Sequence, residues 1–391
     1  MNHYDVYPLF DLEPVRGQGC YVYDEAGRAY LDFYGGHAVI SIGHSHPHYV
    51  RMVQEQVARL GFYSNSVQNP LQQQLADKLG ELSGCDDYQL FLCSSGAEAN
   101  ENAIKLASFA TGRQRMIVFS HSFHGRTSAA VNITDNNSIK APINTTFPVT
   151  FLPLNDLAAV QRELARGDVA AVMVEGIQGV GGIFVPTPAF LEGVAAACQA
   201  TGACLILDEV QSGYGRSGHF FAFQTANIQP DIISMAKGMG NGFPIGGILI
   251  HPRFQPRYGQ LGTTFGGNHL ACAAGIAVLD VIKAENLLQN ARAMGDYLNT
   301  RLAALPGVVE VRGLGLMLGV QLNQDAGPVR KQLLFDKGIF TGSAAEPRTV
   351  RLLPPLNMTQ TEADLLLRGL ADVLAPTAAA PQASSPSSAK L

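Results

Sequence analysis

Two residues in this chain could grip opposite ends of one small molecule. Lys237 closes the apolar segment Ile233-Ser234-Met235-Ala236, and the glycine-rich stretch Gly238-Met239-Gly240-Asn241-Gly242 follows at once. A lysine at the end of a buried segment loses the solvation of its ammonium, so its pKa falls and the amine becomes nucleophilic. Upstream, the apolar run Cys204-Leu205-Ile206-Leu207 ends in Asp208. An amine for a Schiff base and a carboxylate for a pyridinium nitrogen are the two protein groups that pyridoxal phosphate demands.

Such a cofactor also needs a seat for its phosphate. Ser94-Ser95-Gly96-Ala97-Glu98 follows an apolar run and opens a helical pattern. Helix N-terminal amides behind a turn of small residues form an anion site, whereas an ordinary serine N-cap gives the same string. Beside Lys237 and Asp208 the phosphate reading prevails. In Phe123-His124-Gly125-Arg126 the aromatic could stack on a flat ring and the arginine could clamp a carboxylate. A surface loop with one ring packed inward is the plainer alternative. Arg351, in Thr349-Val350-Arg351-Leu352-Leu353, is either a second clamp or simple strand alternation.

Other motifs lead away from this chemistry. Gly213-Tyr214-Gly215-Arg216-Ser217-Gly218 matches the dinucleotide fingerprint, but His219-Phe220-Phe221-Ala222-Phe223 and then Pro230 open no crossover helix, so nicotinamide binding is discounted. No Gly-Lys dipeptide offers a P-loop. His44, His46 and His48 alternate around Pro47 and could ligate zinc. No cysteine or carboxylate cluster accompanies them, so a turn packed at a domain edge is expected and no metal site is assigned.

The elements that must position these residues are legible as hydrophobic runs. Gln89–Cys93, Arg115–Phe119, Val169–Val174, Cys204–Leu207 and Ile245–Ile250 are continuously apolar rather than alternating, as in parallel sheets covered on both faces. Between them, Ala99, Ala103, Leu106, Ala107 and Ala110 share one helical face, and Gly112 stands where a C-terminal cap belongs. A hairpin is expected over residues 20–34, around Glu25-Ala26-Gly27-Arg28. Strands at Val308–Arg312 and Leu316–Val320 and a last helix follow a long helical stretch. The expected organisation is a large α/β domain over 51–275 and a smaller α+β domain built from 1–50 and 276–375. The Ala/Pro/Ser-rich residues 376–391 are expected to form a disordered tail.

Bulk properties agree. The 391 residues suffice for two domains, and 47% hydrophobic with 15% charged residues supports a large core. A net charge of -5 gives no support for nucleic-acid binding. The six cysteines show no paired spacing, and Cys204 and Cys272 read as buried packing thiols of a reducing compartment. No apolar run reaches the length of a membrane span, and Met1-Asn2-His3-Tyr4-Asp5 has no basic, signal-like character. A soluble cytoplasmic protein is expected.

Taken together, the chain resembles the class III pyridoxal-phosphate aminotransferases, and within them the acetylornithine/succinylornithine group. The resemblance runs from about residue 5 to 375. Its carriers are Gly43–Pro47, Ser95–Glu101, Phe123–Thr127, Leu207–Arg216, Ala236–Gly238 and Thr263–Asn268, which stand in family order. It implies the fold-type I architecture, a mostly parallel central sheet flanked by helices. It implies that Lys237 carries pyridoxal 5'-phosphate and that Asp208 faces the ring nitrogen. Gln211 would approach the ring's phenolic oxygen, Ser95, Gly96 and Ala97 would cradle the phosphate, and Phe123 would stack on the ring. Thr264 would reach the phosphate of a neighbouring subunit, which implies a homodimer. Arg126 would bind the α-carboxylate of an N-acylated ornithine, and Arg351 a carboxylate of glutamate or 2-oxoglutarate.

Three positions depart from the family pattern. Val180, in Gln178-Gly179-Val180-Gly181-Gly182, stands where a glutamate usually pairs with the counterpart of Arg351. Arg351 is therefore expected to lack its mask, and a more anionic donor such as succinylornithine becomes plausible. His269 replaces a usual proline, and His37 falls near a specificity position. The implied reaction is transfer of the 5-amino group of acetylornithine or succinylornithine to 2-oxoglutarate, in arginine metabolism. Ornithine or 4-aminobutyrate as donor, an aminomutase or decarboxylase of the same fold, and the weaker nicotinamide reading are the alternatives.

Overall fold

The computed structural model describes residues 1–375; the expected tail lies outside them. The chain opens with three short strands, β1 (Arg16–Gln18), β2 (Tyr21–Tyr23) and β3 (Ala29–Phe33). Strands β2 and β3 form the expected antiparallel hairpin. Next come β4 (Gln89–Cys93), β5 (Arg115–Phe119), β6 (Val149–Leu152), β7 (Val169–Glu175), β8 (Cys204–Asp208), β9 (Ile232–Met235) and β10 (Gly246–Ile250). The last four are β11 (Val308–Leu314), β12 (Met317–Leu322), β13 (Ile339–Ser343) and β14 (Thr349–Leu352).

The middle set forms a seven-stranded sheet in the order β4-β10-β9-β8-β7-β5-β6. Its β5 to β9 core is parallel, and β5, β7, β8 and β9 are buried at every residue. This is why they read as unbroken apolar runs. The sheet is mostly parallel, as expected, with one reversal. Strand β10 runs antiparallel to both β9 and β4. The segment after β9 is a glycine-rich turn with no crossover helix, so the chain can only come back beside the strand it left.

The terminal strands form a second seven-stranded sheet, β1-β2-β3-β13-β14-β12-β11. The two chain ends join where β3 pairs in parallel with β13. Among the described residues, no helix is long and apolar enough to cross a membrane. All six cysteines are buried and free.

Local chemistry explains the helix that borders the site, Gly96–Thr111. The Ser95 hydroxyl accepts from the Glu98 amide at 3.2 Å, and Glu98 Oε2 accepts from the Ser94 amide at 2.6 Å. These bonds start the helix. Gly112, at φ 67°, ends it. Ala99, Ala103 and Ala107 are fully buried, and such small side chains let the helix lie close on the sheet.

Candidate active site

Strands β8 and β9 pair in parallel with Asp208 opposite Ser234, so Asp208 and the turn after Met235 emerge at the same edge of the sheet. Carboxyl ends of parallel strands are where open α/β sheets bind ligands. There Ser95, Gly96, Ala97, Phe123, Arg126, Asp208, Gln211 and Lys237 line one cavity of about 390 Å³. These residues span more than 140 positions of sequence, and the fold gathers them.

Lys237 sits at φ 46°, a left-handed conformation that an L-residue holds only when its surroundings impose it. They do so here. Ser41 Oγ donates to the Gly238 carbonyl at 2.8 Å, and Asn241 Oδ1 accepts from the Ser41 and Ile42 amides at 2.8 and 3.0 Å. The N-terminal segment thus clamps the lysine turn. Burial pushes the Lys237 pKa down and the Arg351 charge adds to this, while Asp208 and Glu175 pull it back.

Asp208 is 4% exposed and fully engaged. Its Oδ2 accepts from His124 Nδ1 at 2.7 Å and from Asn100 Nδ2 at 2.8 Å, and its Oδ1 accepts from the Val210 amide at 3.0 Å. Burial works against a cation at His124, but the hydrogen bond and charge of Asp208 outweigh it, so the imidazole pKa is raised. Glu175, at the end of β7, also lines the cavity. Its carboxylate accepts from the Phe123 and Gly179 amides, each at 3.0 Å. Burial pushes this carboxyl up to about 7, against the pull of His124.

Glu175, His124 and Asn100 were not singled out in the sequence. Glu175 carries the same signal as Asp208, a carboxylate closing an apolar strand. His124 and Asn100 lie inside the quoted motifs Phe123–Thr127 and Ser95–Glu101 but lack any such marker of their own.

The other expected residues divide. The Ser95 side chain serves as the helix cap, which is the plainer of its two readings. The amides of Gly96 and Ala97, which have no intrahelical acceptor, border the cavity. Arg126 is exposed at the rim. Thr264 is exposed in the loop before the helix His269–Ala284 and does not line the cavity of its own chain.

Arg351 is 2% exposed. It lies behind Gln211, donating through Nη1 to Gln211 Oε1 at 3.2 Å and through Nε to the Ser343 carbonyl. Burial pushes its pKa down to about 10. The expectation of an arginine without a mask is therefore modified: the glutamate is absent, but Gln211 occupies the guanidinium.

The rival motifs are accounted for. Gly213–Gly218 forms a buried turn, and Arg216 ties it to loops outside the strands of the second sheet by donating to the carbonyls of Ile40, Leu316 and Pro354. His44, His46 and His48 each bond a different carboxylate, Asp32, Glu285 and Asp280, at 2.8, 2.8 and 3.1 Å.

The cavity fits pyridoxal phosphate in its donor set. An amine and a carboxylate share it with a helix N-terminus able to take a phosphate. His124 Nε2 and Asn100 Oδ1, on residues of its wall, are buried polar atoms without partners. Its glycines are required. A Cβ on Gly96 would lie 2.6 Å from Val210 Cγ1, and one on Gly125 would lie 2.8 Å from the Ala97 Cβ.

Comparison with known proteins agrees with this arrangement. The family model for aminotransferase class-III matches residues 4–374. The chain is 41% identical to the acetylornithine aminotransferase of Bacillus subtilis over 369 residues, covering 92% of this chain and 94% of that protein. It is 38% identical to the Methanosarcina acetivorans acetylornithine aminotransferase over 356 residues, covering 90% and 89%. Among solved structures, the acetylornithine aminotransferase of Elizabethkingia anophelis superposes with a TM-score of 0.82 at 30% identity, covering 94% of this chain and 95% of that one. The ornithine aminotransferase of Toxoplasma gondii, seen with PLP at partial occupancy in its active site, gives 0.87 at 28%, covering 95% and 92%. With a family model spanning nearly every described residue and a cavity suited to its cofactor, this chain belongs to the class III aminotransferases, the pyridoxal-phosphate enzymes that move amino groups.

Proposed function

We propose that this enzyme transfers the 5-amino group of an N-acylated ornithine, acetylornithine or succinylornithine, to 2-oxoglutarate. The products are the N-acylated glutamate 5-semialdehyde and glutamate, and the setting is arginine metabolism in the cytoplasm. The observation that carries the reading is that Lys237 and Asp208 line one cavity with Arg126 exposed at its rim. The acetylornithine aminotransferases among its relatives support the choice of donor, and the buried free cysteines support a reducing compartment.

Pyridoxal phosphate, when bound, supplies the carbonyl that takes up the amino group and the electron sink that acidifies the carbon bearing it. The chain's own residues do the rest. Lys237 Nζ, with its pKa depressed by burial, would take the proton from C5 of the donor as general base and then, as general acid, deliver it to the cofactor rather than back to C5, so that C5 leaves as the aldehyde carbon. Asp208, held by His124, Asn100 and the Val210 amide, would present a fixed carboxylate to the ring nitrogen. Arg126 binds the donor's α-carboxylate and so leaves the 5-amine at Lys237. The Gly96 and Ala97 amides would hold the phosphate, and Phe123 would cover one ring face. Acylation of the 2-amino group keeps it from closing onto the new aldehyde.

We also propose a homodimer in which Thr264 completes the neighbouring site. Phe62 and Phe265, their rings 5.4 Å apart, are 43% and 61% exposed near Thr264 and form an apolar patch suited to a second copy. The functional reading is tested by comparing kcat/KM for acetylornithine, succinylornithine, ornithine and 4-aminobutyrate, with 2-oxoglutarate as acceptor. An acylated donor is expected to lead by at least about tenfold. Preference for free ornithine or 4-aminobutyrate would overturn it.

A further inference from the structure

Arg351 raises a question that the donor chemistry leaves open. In the first half of a 5-amine transfer the donor has no carboxylate beside the reacting carbon. In the second half the acceptor, a 2-oxo dicarboxylate, has one there. A buried guanidinium must be satisfied in the first half and released in the second.

The residues around Arg351 meet both demands. Its side-chain acceptors, Gln211 Oε1 and the Ser343 carbonyl, are both uncharged. The amide of Gln211 is held in one orientation because its Nε2 donates to the His37 carbonyl at 3.0 Å, which turns Oε1 toward Arg351. The His37 carbonyl is itself fixed by a run of left-handed backbone, with φ of 57, 55, 67 and 64° from Gly35 to Ala38. Gly179 makes the space, since a Cβ there would lie 1.8 Å from Gln211 Oε1. Val180, on the same cavity wall, is stitched to the segment following Ser343 by a bond from the Ala345 amide to its carbonyl at 2.8 Å.

We propose that Gln211 is a neutral mask for Arg351, holding the guanidinium while the amine donor reacts and yielding it to the carboxylate of the dicarboxylate acceptor. A charge-assisted bidentate pair is stronger than a hydrogen bond to an uncharged amide, so the incoming carboxylate displaces the mask readily. An acidic mask would have to leave an ion pair first, at greater cost. Gln211 thus sets specificity for the acceptor in addition to any contact with the cofactor ring. The inference rests on the transaminase reading only for the identity of the ligands that come and go.

The test is calorimetric titration of the holoenzyme with glutarate, a dicarboxylate that cannot react, with the cofactor absorbance recorded for each variant. Gln211→Glu puts a carboxylate where the amide now meets Arg351, and Val180→Glu adds one to the same cavity wall as Gln211; each is expected to weaken glutarate by at least about tenfold. Gln211→Ala removes the competitor and is expected to tighten glutarate severalfold. This reversal of sign is one that a merely structural glutamine would not give. Affinities within about twofold of the parent for both acidic variants, or weakening by Gln211→Ala, would overturn the proposal. Should Gln211→Ala lose cofactor, Gln211→Met, which keeps the volume and removes the acceptor, takes its place under the same criterion. Glutarate binding is indifferent to the donor. If the acylated donors fail while this order of affinities holds, the substrate reading falls and the mask stands.

Discussion

His124 Nδ1 lies 2.7 Å from Asp208 Oδ2, and the imidazole side chain is entirely buried. With Asn100 on the same oxygen, the carboxylate is fixed by two side chains from other elements of the fold. The acid proposed to face the cofactor is therefore only as well placed as its supports.

Removing that support should impair catalysis without emptying the site. His124→Ala is expected to lower kcat about 10- to 100-fold, the equivalent of a hydrogen bond to a charged group. The cofactor absorption band should shift with it. His124→Asn, whose Nδ2 stands close to the position of the imidazole Nδ1, should recover much of the loss. Equal defects in both variants would show that the ring matters for packing rather than for its bond to Asp208.

The helix N-terminus proposed to take the phosphate gives a separate prediction. At Gly96 a methyl group would meet Val210, a stiff β-branched side chain, at 2.6 Å. Gly96→Ala should destabilise by about 1–3 kcal/mol through overpacking and weaken cofactor retention on dialysis. Adding Val210→Ala should restore both, because it removes the clashing methyl groups. Failure of the second change to rescue would place the defect elsewhere.

A buried acid gives the stability a pH dependence. Glu209 accepts from the Ser212 hydroxyl at 2.7 Å and the Phe223 amide at 2.9 Å, and burial pushes its pKa up to about 7. Its folded pKa lies above its unfolded one, so the native state holds the extra proton. The stability tied to that proton is complete below the unfolded pKa and is lost as pH rises through about 7. Glu209→Gln should be near neutral at about pH 5 and stabilising by up to about 3 kcal/mol at about pH 8. Unfolding measured at both pH values checks this. The same difference at both would contradict it.

Much of this site could be read in the sequence because buried parallel strands appear as solid apolar runs, and the polar residue closing such a run stands out. Lys237 and Asp208 were visible for that reason, and Glu175 carried the same mark. The direction of β10 was not visible, since apolar content carries no information on strand polarity. The Arg351–Gln211 contact joins residues 140 positions apart, and only the folded chain could reveal it. Thr264 shows the opposite case: its expected role comes from resemblance alone, and its own chain leaves it exposed and away from the cavity.

The pairing of Lys237 with Asp208 across one ring is tested most directly by borohydride reduction of the yellow holoenzyme, followed by peptide mapping by mass spectrometry. The pyridoxyl mass should appear on the peptide containing Lys237 and on no other, and Lys237→Ala should give no covalent adduct and no turnover. A label on another lysine, or a Lys237→Ala enzyme that keeps its bound chromophore and its native rate, would refute the assignment.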